Sequence, residues 1–411
     1  MSGPLTGIRV VDFSRVLAGP LCARTLMDLG ADVIKIEPPR PDLSRYAYPA
    51  KDGISGYYAQ QNAGKRNVSI DLNVDGGRDL VLKLCDEADV VVENFRAGTL
   101  ASFNLDYETL AARNPRLVYV SITGYGQGGP WRGRMAYAPT VQAEAGFTFH
   151  SLRHYGDALK EPRTDSLSHA DVYTGLQAVI AALAALARRA ETGIGQYVDI
   201  SMAATLMSIN ERAHVDLTGA DLGAEPAILG ATDCPFFVGP KGEKFVTAMS
   251  LVGSLTFPFY VQAMRRPDLL DDPRFRTADA RLANKKELHA LVQKWILTFR
   301  DLKDLDAQFD EAKIAMGEVR SLDDLAKSEW AEYWDAVQTV SDRNGGSYRI
   351  AGRPWRFSRD QLRPAGDPAF RGEHNVSVCR ELGLSEQQIE KLVKAGVLVG
   401  DPIPAAAARS A

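Results

Sequence analysis

Residues 7–39 read GIRVVDFSRVLAGPLCARTLMDLGADVIKIEPP, and this stretch sets the fold class. An apolar run typical of a buried strand leads into a turn at Ala18-Gly19-Pro20, then a helix, then a second apolar run at ADVIKIEPP. Strand, helix and strand within about 30 residues make a β-α-β unit, because parallel strands need a crossover of that length. The pattern then repeats. KRNVSIDLNVDGGRDLVLKLCDEADVVVENF gives strand, helix and strand, with Leu80, Leu84 and the run from Val90 to Val92 as buried faces. Asp75 is the expected cap of its helix, which begins at Gly76 or Gly77. LDYETLAARNPRLVYVSITGYG adds a short amphipathic helix and a strand from Leu117 to Ile122. Alternation sustained to Ser201 predicts a doubly wound, Rossmann-like α/β domain. Ligands of such sheets bind beyond the C-terminal strand ends. Those ends carry Arg15-Val16-Leu17-Ala18, Glu37-Pro38, Asn94-Phe95-Arg96 and Thr123 to Gly126.

The most informative later stretch runs from Asp165 to Ser201, DSLSHADVYTGLQAVIAALAALARRAETGIGQYVDIS. It predicts a helix from Asp171 to about Ala190, stopped by Gly193 in a left-handed conformation, and a short strand in GQYVDIS. Leu176, Val179, Ile180, Leu183 and Leu186 fall at helical spacing and are expected on one buried face. Asp171 then sits at the mouth of that helix, where free N–H groups and the helix dipole favour an anion. On these residues alone it is either a capping acid or a carboxylate nucleophile. His169, two residues earlier, is either a hydrogen-bonded loop histidine or a base partner.

The remainder divides the chain. A large α/β domain is expected over 1–208 and 340–411, a linker over 209–226, and a small α+β domain over 227–339. PFFVGPKGEKFVTAMS reads as a hairpin around Gly239–Gly242, followed by helices to about Lys327. YRIAGRPWRFS returns as strands, and LSEQQIEKLVKAGVL is a helix capped by Ser385. The tail PAAAARSA carries no structural signal.

Composition narrows the function. A formal net charge of −4 supplies no basic field for nucleic acid or an anionic membrane. The N-terminus lacks the basic and apolar regions of a secretory signal. The apolar helix after Asp171 is interrupted by Gly175 and Gln177 and falls short of the ~20 apolar residues of a membrane span. Cys22, Cys85, Cys234 and Cys379 form no C-x-x-C pair, and the six histidines have no metal-ligand spacing. These features fit a reduced, cytoplasmic protein without a metal site. The first strand is not followed by G-x-G-x-x-G, so a nicotinamide dinucleotide fingerprint is absent. G-x-S-x-G and the phosphate-loop pattern are absent too; Gly64-Lys65-Arg66 resembles the latter only loosely.

Six blocks, in order, resemble the class III CoA-transferases, the CaiB/BaiF and formyl-CoA transferase-like group. They are PLTGIRVVDFSRVLAGPLCARTLMDLGADVIKIEPP, GKRNVSIDLN, ADVVVENFRAGTL, LDYETLAARNPRLVYVSITGYGQGGPW, ADVYTGLQAVIAALAALARRAETGIGQYVDISM and GEHNVSVCRELGLSEQQIEKLVKAGVL. The resemblance runs from Pro4 to Val399 and is weakest between about Leu217 and Gly345. It implies an interlocked homodimer and no permanently bound cofactor, with acyl-CoA and a small carboxylic acid as substrates. It also implies that Asp171 is the nucleophile, passing through a mixed anhydride and an aspartyl-CoA thioester. Val16, Leu17 and Ala18 would belong to the CoA pocket, Leu72 would pack near the adenine, Asn94 and Phe95 would line the pantetheine path, and Arg96 would also bind CoA. Tyr137 matches an active-site position. Leu17 stands where family members often have Gln, and Ala138 where they often have an acid. Pro38, Asp75, Ser102 and Met135 replace basic residues that meet CoA phosphates, leaving Arg40, Arg96, Arg132 or Arg134 to substitute. Two alternatives remain: an α-methylacyl-CoA racemase, whose histidine is missing from Met135-Ala136-Tyr137-Ala138, and a non-catalytic acyl-CoA-binding protein.

Overall fold

The structure is a computed structural model that describes residues 3–48, 50–51, 54–155, 164–211, 213–218 and 234–404. Its contacts divide into two compact units, Met1–Asn210 with Glu329–Ala411, and Glu211–Ser328. Residues 212 and 219–226 of the expected linker, and 405–411 of the tail, lie outside the described residues. Within the linker, Ala213–Thr218 is a helix.

The first unit is built on six parallel strands: β1 Arg9–Asp12, β2 Asp32–Glu37, β3 Arg66–Ser69, β4 Val90–Glu93, β5 Val118–Thr123 and β6 Tyr197–Ser201. Their spatial order is β3-β2-β1-β4-β5-β6. Every pairing is parallel. The α/β alternation is therefore realised in the order of a dinucleotide-binding sheet, although the glycine fingerprint is absent. Strands β4 and β5 are buried along their whole length, as parallel strands covered on both faces must be. One face presents Val10, Val90, Val92, Val118 and Val120 to helices α1 (Ala18–Asp28) and α7 (His169–Thr192). The other presents Val11, Ile34, Val91 and Tyr119 to α3 (Gly77–Asp86) and to the C-terminal helices Asn375–Glu381 and Glu386–Lys394.

Two local expectations are corrected. Asp75 does not cap α3; Gly76 occupies the N-cap at φ 91°, with no side-chain cap. In α7 the buried stripe is Ala170, Thr174, Gly175, Ala178, Val179, Ala182, Ala185 and Leu186, while Leu176 and Ile180 are 40% and 59% exposed. Small residues win the interior because α1 approaches closely. A Cβ on Gly175 would stand 2.7 Å from the carbonyl oxygen of Ala18. By length and composition α7 could cross a membrane; here its small-residue stripe packs on α1 and the sheet.

The C-terminal segment completes the outer edge of the sheet. Asn67 N–H donates to His374 Nδ1 at 3.1 Å, Ser69 N–H to Asn375 Oδ1 at 2.9 Å, and Ile70 bridges Leu398. A hairpin of Val337–Ser341 and Ser347–Ala351 packs Val340 and Ile350 against Ala59 and Ala63 of the α2 region (α2, Gly56–Asn62). Ser385 caps Glu386–Lys394 as expected.

The second unit has its own core. Strands Phe236–Val238, Lys244–Thr247 and Met316–Glu318 form an antiparallel sheet that includes the expected hairpin. Phe237, Phe245, Tyr260, Leu288, Val292 and Phe309 fill the space between that sheet and its helices.

Candidate active site

The order of the sheet reverses between β1 and β4, and the loops leaving these two strands meet there. Asn94 fastens them together. Its Oδ1 accepts from Arg15 N–H at 2.8 Å and its Nδ2 donates to Arg15 C=O at 2.9 Å. Val16 follows at φ 65°, a left-handed conformation costly for a β-branched residue. Both oxygens of Asp42 hold it there, accepting from Val16 N–H at 3.1 and 3.2 Å. Leu17 is the N-cap of α1, and Ala18 opens the helix.

Buried charges lie beneath this loop. Lys35 Nζ pairs with Asp42 at 3.2 Å and donates to Ser14 C=O at 2.6 Å. Lys65 Nζ pairs with Asp12 at 2.8 Å and donates to Pro20 C=O at 2.9 Å. The loose phosphate-loop resemblance is thus a structural lysine, locked under the start of α1. Burial acts against all these charges. It brings Lys65 down to about 8 despite Asp12. Around Lys35, Asp42, Asp12 and Glu37 outweigh burial and raise its pKa. For Asp42 burial pushes upward, but Lys35 and the donors on Ser44 and Val16 hold it below the ordinary carboxylate range.

Asp171 faces this scaffold. It is the third residue of α7, two residues further into the helix than the sequence places it, since α7 begins at His169. It is not the N-cap; Ser168 is, without a side-chain cap. Gln142, from α5 (Ala138–Glu144), accepts from Ala170 N–H at 3.3 Å. Ala18 N–H, the first amide of α1, favours the ionised Asp171 carboxylate. Burial lifts its pKa to about 6, and the Ala18 donor opposes that shift only in part. Tyr57 on α2 lies in the same field; burial first, then Asp171 and Asp42, push its hydroxyl up to about 12. His169 is not hydrogen-bonded to a reacting group but stacks between Phe147 at 5.0 Å and Tyr173 at 5.7 Å.

The structure therefore gathers Val16, Leu17, Ala18, Asn94 and Asp171 about one loop. Leu17 and Ala138 are 7% and 2% exposed and apolar, so neither supplies a donor or an acid. Phe95 lies beneath the Arg15 guanidinium at 4.9 Å. Leu72 packs on the α3 side of the sheet. Tyr137 has its backbone held by Thr140, with Tyr137 N–H donating at 3.1 Å and the hydroxyl returning a bond at 2.8 Å, and its ring is 60% exposed. Arg96 is exposed and donates to Gly133 C=O. It also lines a cavity of about 410 Å³ with Glu93, Tyr107, Tyr119, Tyr197 and Asp199. That cavity is on the α3 face of the sheet, away from α7, and does not include Asp171. Within it burial raises Glu93 to about 7 even though Ser121, Phe95 N–H and Gln127 donate to it. Of the alternative phosphate ligands, Arg134 is paired with Glu144.

Sequence reading passed over Asp42, Lys35, Tyr57 and Gln142, and noted Lys65 only as a loose phosphate-loop match. The strand-end positions of Arg15 to Ala18 and of Asn94, with Asp171 at its helix mouth, marked the neighbourhood that these residues build.

The sequence profile of CoA-transferase family III matches residues 5–375. The chain belongs to this family. Among its relatives, a succinate–glutarate CoA-transferase from Agrobacterium fabrum is 30% identical, over 93% of this chain and 97% of that protein. A succinyl-CoA:mesaconate CoA-transferase from Haloarcula hispanica is 32% identical, over 93% and 97%. A CaiB/BaiF family protein from Brucella suis has the same fold, with a TM-score of 0.76 and 31% identity over 93% of this chain and all of that one. The chain is thus a family III CoA-transferase, an enzyme whose substrates are CoA thioesters and carboxylic acids. The parallel-sheet fold expected from the sequence is the fold of this family.

Proposed function

We propose that this CoA-transferase moves CoA from an acyl-CoA donor to a carboxylic acid through covalent intermediates on Asp171. The supporting observation is a carboxylate in a mostly dry site whose ionised form is favoured by the opening amide of a second helix. An Asp171 oxygen attacks the thioester carbonyl, the C–S bond breaks, and CoA leaves as thiolate. The thiolate attacks Cγ of the resulting anhydride, giving the aspartyl-CoA thioester and releasing the donor acid. The acceptor carboxylate attacks the same Cγ and expels the thiolate, which then takes the acyl group and restores Asp171.

No step gains or loses a net proton, so a site without a general base suffices. In the second and third steps Cγ of Asp171 is itself the electrophilic carbon. The Ala18 amide then faces a developing oxyanion and stabilises it. Partial dehydration strengthens that interaction and leaves the carboxylate less solvated as a nucleophile. Val16, Leu17, Ala18, Asn94 and Phe95 would line the CoA path, with Tyr137, Leu72 and Arg96 further along it. The relatives' substrates favour four- and five-carbon dicarboxylic acids, with succinyl-CoA as donor. The exposed Leu176 and Ile180 on α7 support a homodimer, which sedimentation or light scattering would detect.

The deciding experiment incubates the enzyme with acyl-CoA and a second acid, adds hydroxylamine, and maps the peptides. A hydroxamate at Asp171 is expected. Transfer with no adduct at Asp171, or full activity in Asp171→Ala, removes the reading. Exchange at the α-carbon without transfer would assign a racemase, and binding without either reaction a carrier.

A further inference from the structure

We infer that Arg15, with Arg40 at its rim, is a seat for an anionic group of the substrate, a carboxylate or a phosphate set apart from the reacting thioester. This rests on the CoA-transfer reading above and adds what that reading leaves open, namely how charge on the substrate is recognised.

Arg15 differs from the other buried and half-buried arginines. Arg24 pairs with Asp28 at 3.3 Å, Arg45 with Glu37 at 2.9 Å, Arg189 with Asp89 at 2.8 Å and Arg343 with Glu373 at 2.5 Å. Arg15 has no such partner among the described residues, and its Nε is buried without any hydrogen bond. The nearest carboxylates are already committed. Asp42 serves Lys35 and Val16 N–H, while Glu37 serves Arg45 and accepts from the Tyr58 hydroxyl at 3.0 Å. Burial lowers the Arg15 pKa; Asp42 and Glu37 oppose this from a distance, and Arg40 adds like charge. A charged donor left in that state is costly, and the cost is relieved when an anion arrives.

The geometry suits such an arrival. Asn94 pins the backbone of Arg15 on both sides, so the side chain leaves a fixed point. The guanidinium rests on the Phe95 ring, which occupies its face and leaves the N–H edge for an in-plane bidentate oxyanion. Arg15 stands three residues before Ala18, on the loop that also carries Val16 and Leu17. Two substrate groups share the required chemistry: the second carboxylate of a dicarboxylic acyl group, and a phosphate of CoA.

The test uses the full-length enzyme and the variants Arg15→Gln, Arg15→Lys and Arg40→Gln. Steady-state kinetics compare succinyl-CoA with propionyl-CoA, and equilibrium dialysis compares CoA with pantetheine. Arg15→Gln is expected to weaken the anionic member of one pair by about tenfold or more while sparing its neutral counterpart. Arg15→Lys should restore part of the loss, and Arg40→Gln should reproduce a smaller one. A loss confined to succinyl-CoA assigns the seat to carboxylate; a loss confined to CoA over pantetheine assigns it to phosphate. No loss, or equal losses for both members of both pairs, overturns the inference. Failure of the wild type to transfer CoA, with CoA binding still weakened selectively in Arg15→Gln, would sink the transferase mechanism and leave the seat standing.

Discussion

The carbonyl oxygen of Ala18 occupies the space beside Gly175, 2.7 Å from where a Cβ would be. Helix α7 can lie against the start of α1 only because that position has no side chain. In an isolated helix Gly175→Ala would gain about 1 kcal/mol of propensity. Here it is expected to cost about 1–3 kcal/mol from overpacking, since the neighbour that must move is backbone. The same shift would draw Ala18 N–H away from Asp171. Urea unfolding should show the lost stability, and kcat should fall more than KM rises.

Replacing the carboxylate should separate turnover from stability. Asp171→Asn keeps an oxygen for Ala18 N–H but is a far poorer nucleophile, so kcat is expected to drop about 10³-fold or more while CoA still binds. Folding should gain. The folded pKa of about 6 lies above the ordinary 3.8, so the folded state binds this proton more tightly than the unfolded state does. The carboxyl's favourable contribution is complete below the ordinary value and is lost as pH rises through about 6. Removing the charge should therefore stabilise the protein by of order 2 kcal/mol at pH 8 and by about half as much at pH 5.

The pH dependence of the reaction follows from the same group. Only ionised Asp171 attacks, so kcat/KM is expected to decline tenfold per unit below about pH 6 and to be flat just above it. A decline beginning near pH 4 would indicate a fully solvated carboxylate.

Lys35 and Asp42 are both completely buried. Asp42→Asn removes the ion-pair partner of a buried lysine and is expected to cost about 3–5 kcal/mol. Adding Lys35→Met should recover most of that stability in chemical denaturation. Activity should recover less, because an uncharged residue 42 holds Val16 at its positive φ less firmly.

Much of the fold could be read from the sequence, because parallel strands announce themselves as apolar runs and Gly193 and Ser385 punctuate helices. The direction of α7 could not. Periodicity marks Leu176 and Ile180 as apolar, but close helix packing selects Ala170, Gly175, Ala178 and Ala182 for the interior, and small residues carry little periodic signal. Asp75 misled for a related reason: a glycine in a left-handed conformation began α3 without side-chain help. At the site, the position of Asp171 at a helix mouth and the strand-end residues Val16 to Ala18 and Asn94 were visible. The buried lattice of Asp12, Lys35, Asp42 and Lys65 was not, since isolated charges spread over fifty residues resemble an ordinary solvated surface until the sheet gathers them. Tyr57 was hidden in the same way.

The bridge between Ile70 and Leu398 carries a biosynthetic consequence. An edge strand completed early in synthesis waits for its cover until more than three hundred further residues have been added. Until then the nascent chain presents an unpaired strand beside apolar surface, the kind of edge that recruits other chains. A stop that removes Asn375 to Leu398 should therefore yield aggregates rather than a weakened enzyme, and holdase chaperones are expected to stay with the ribosome-bound chain until that segment emerges.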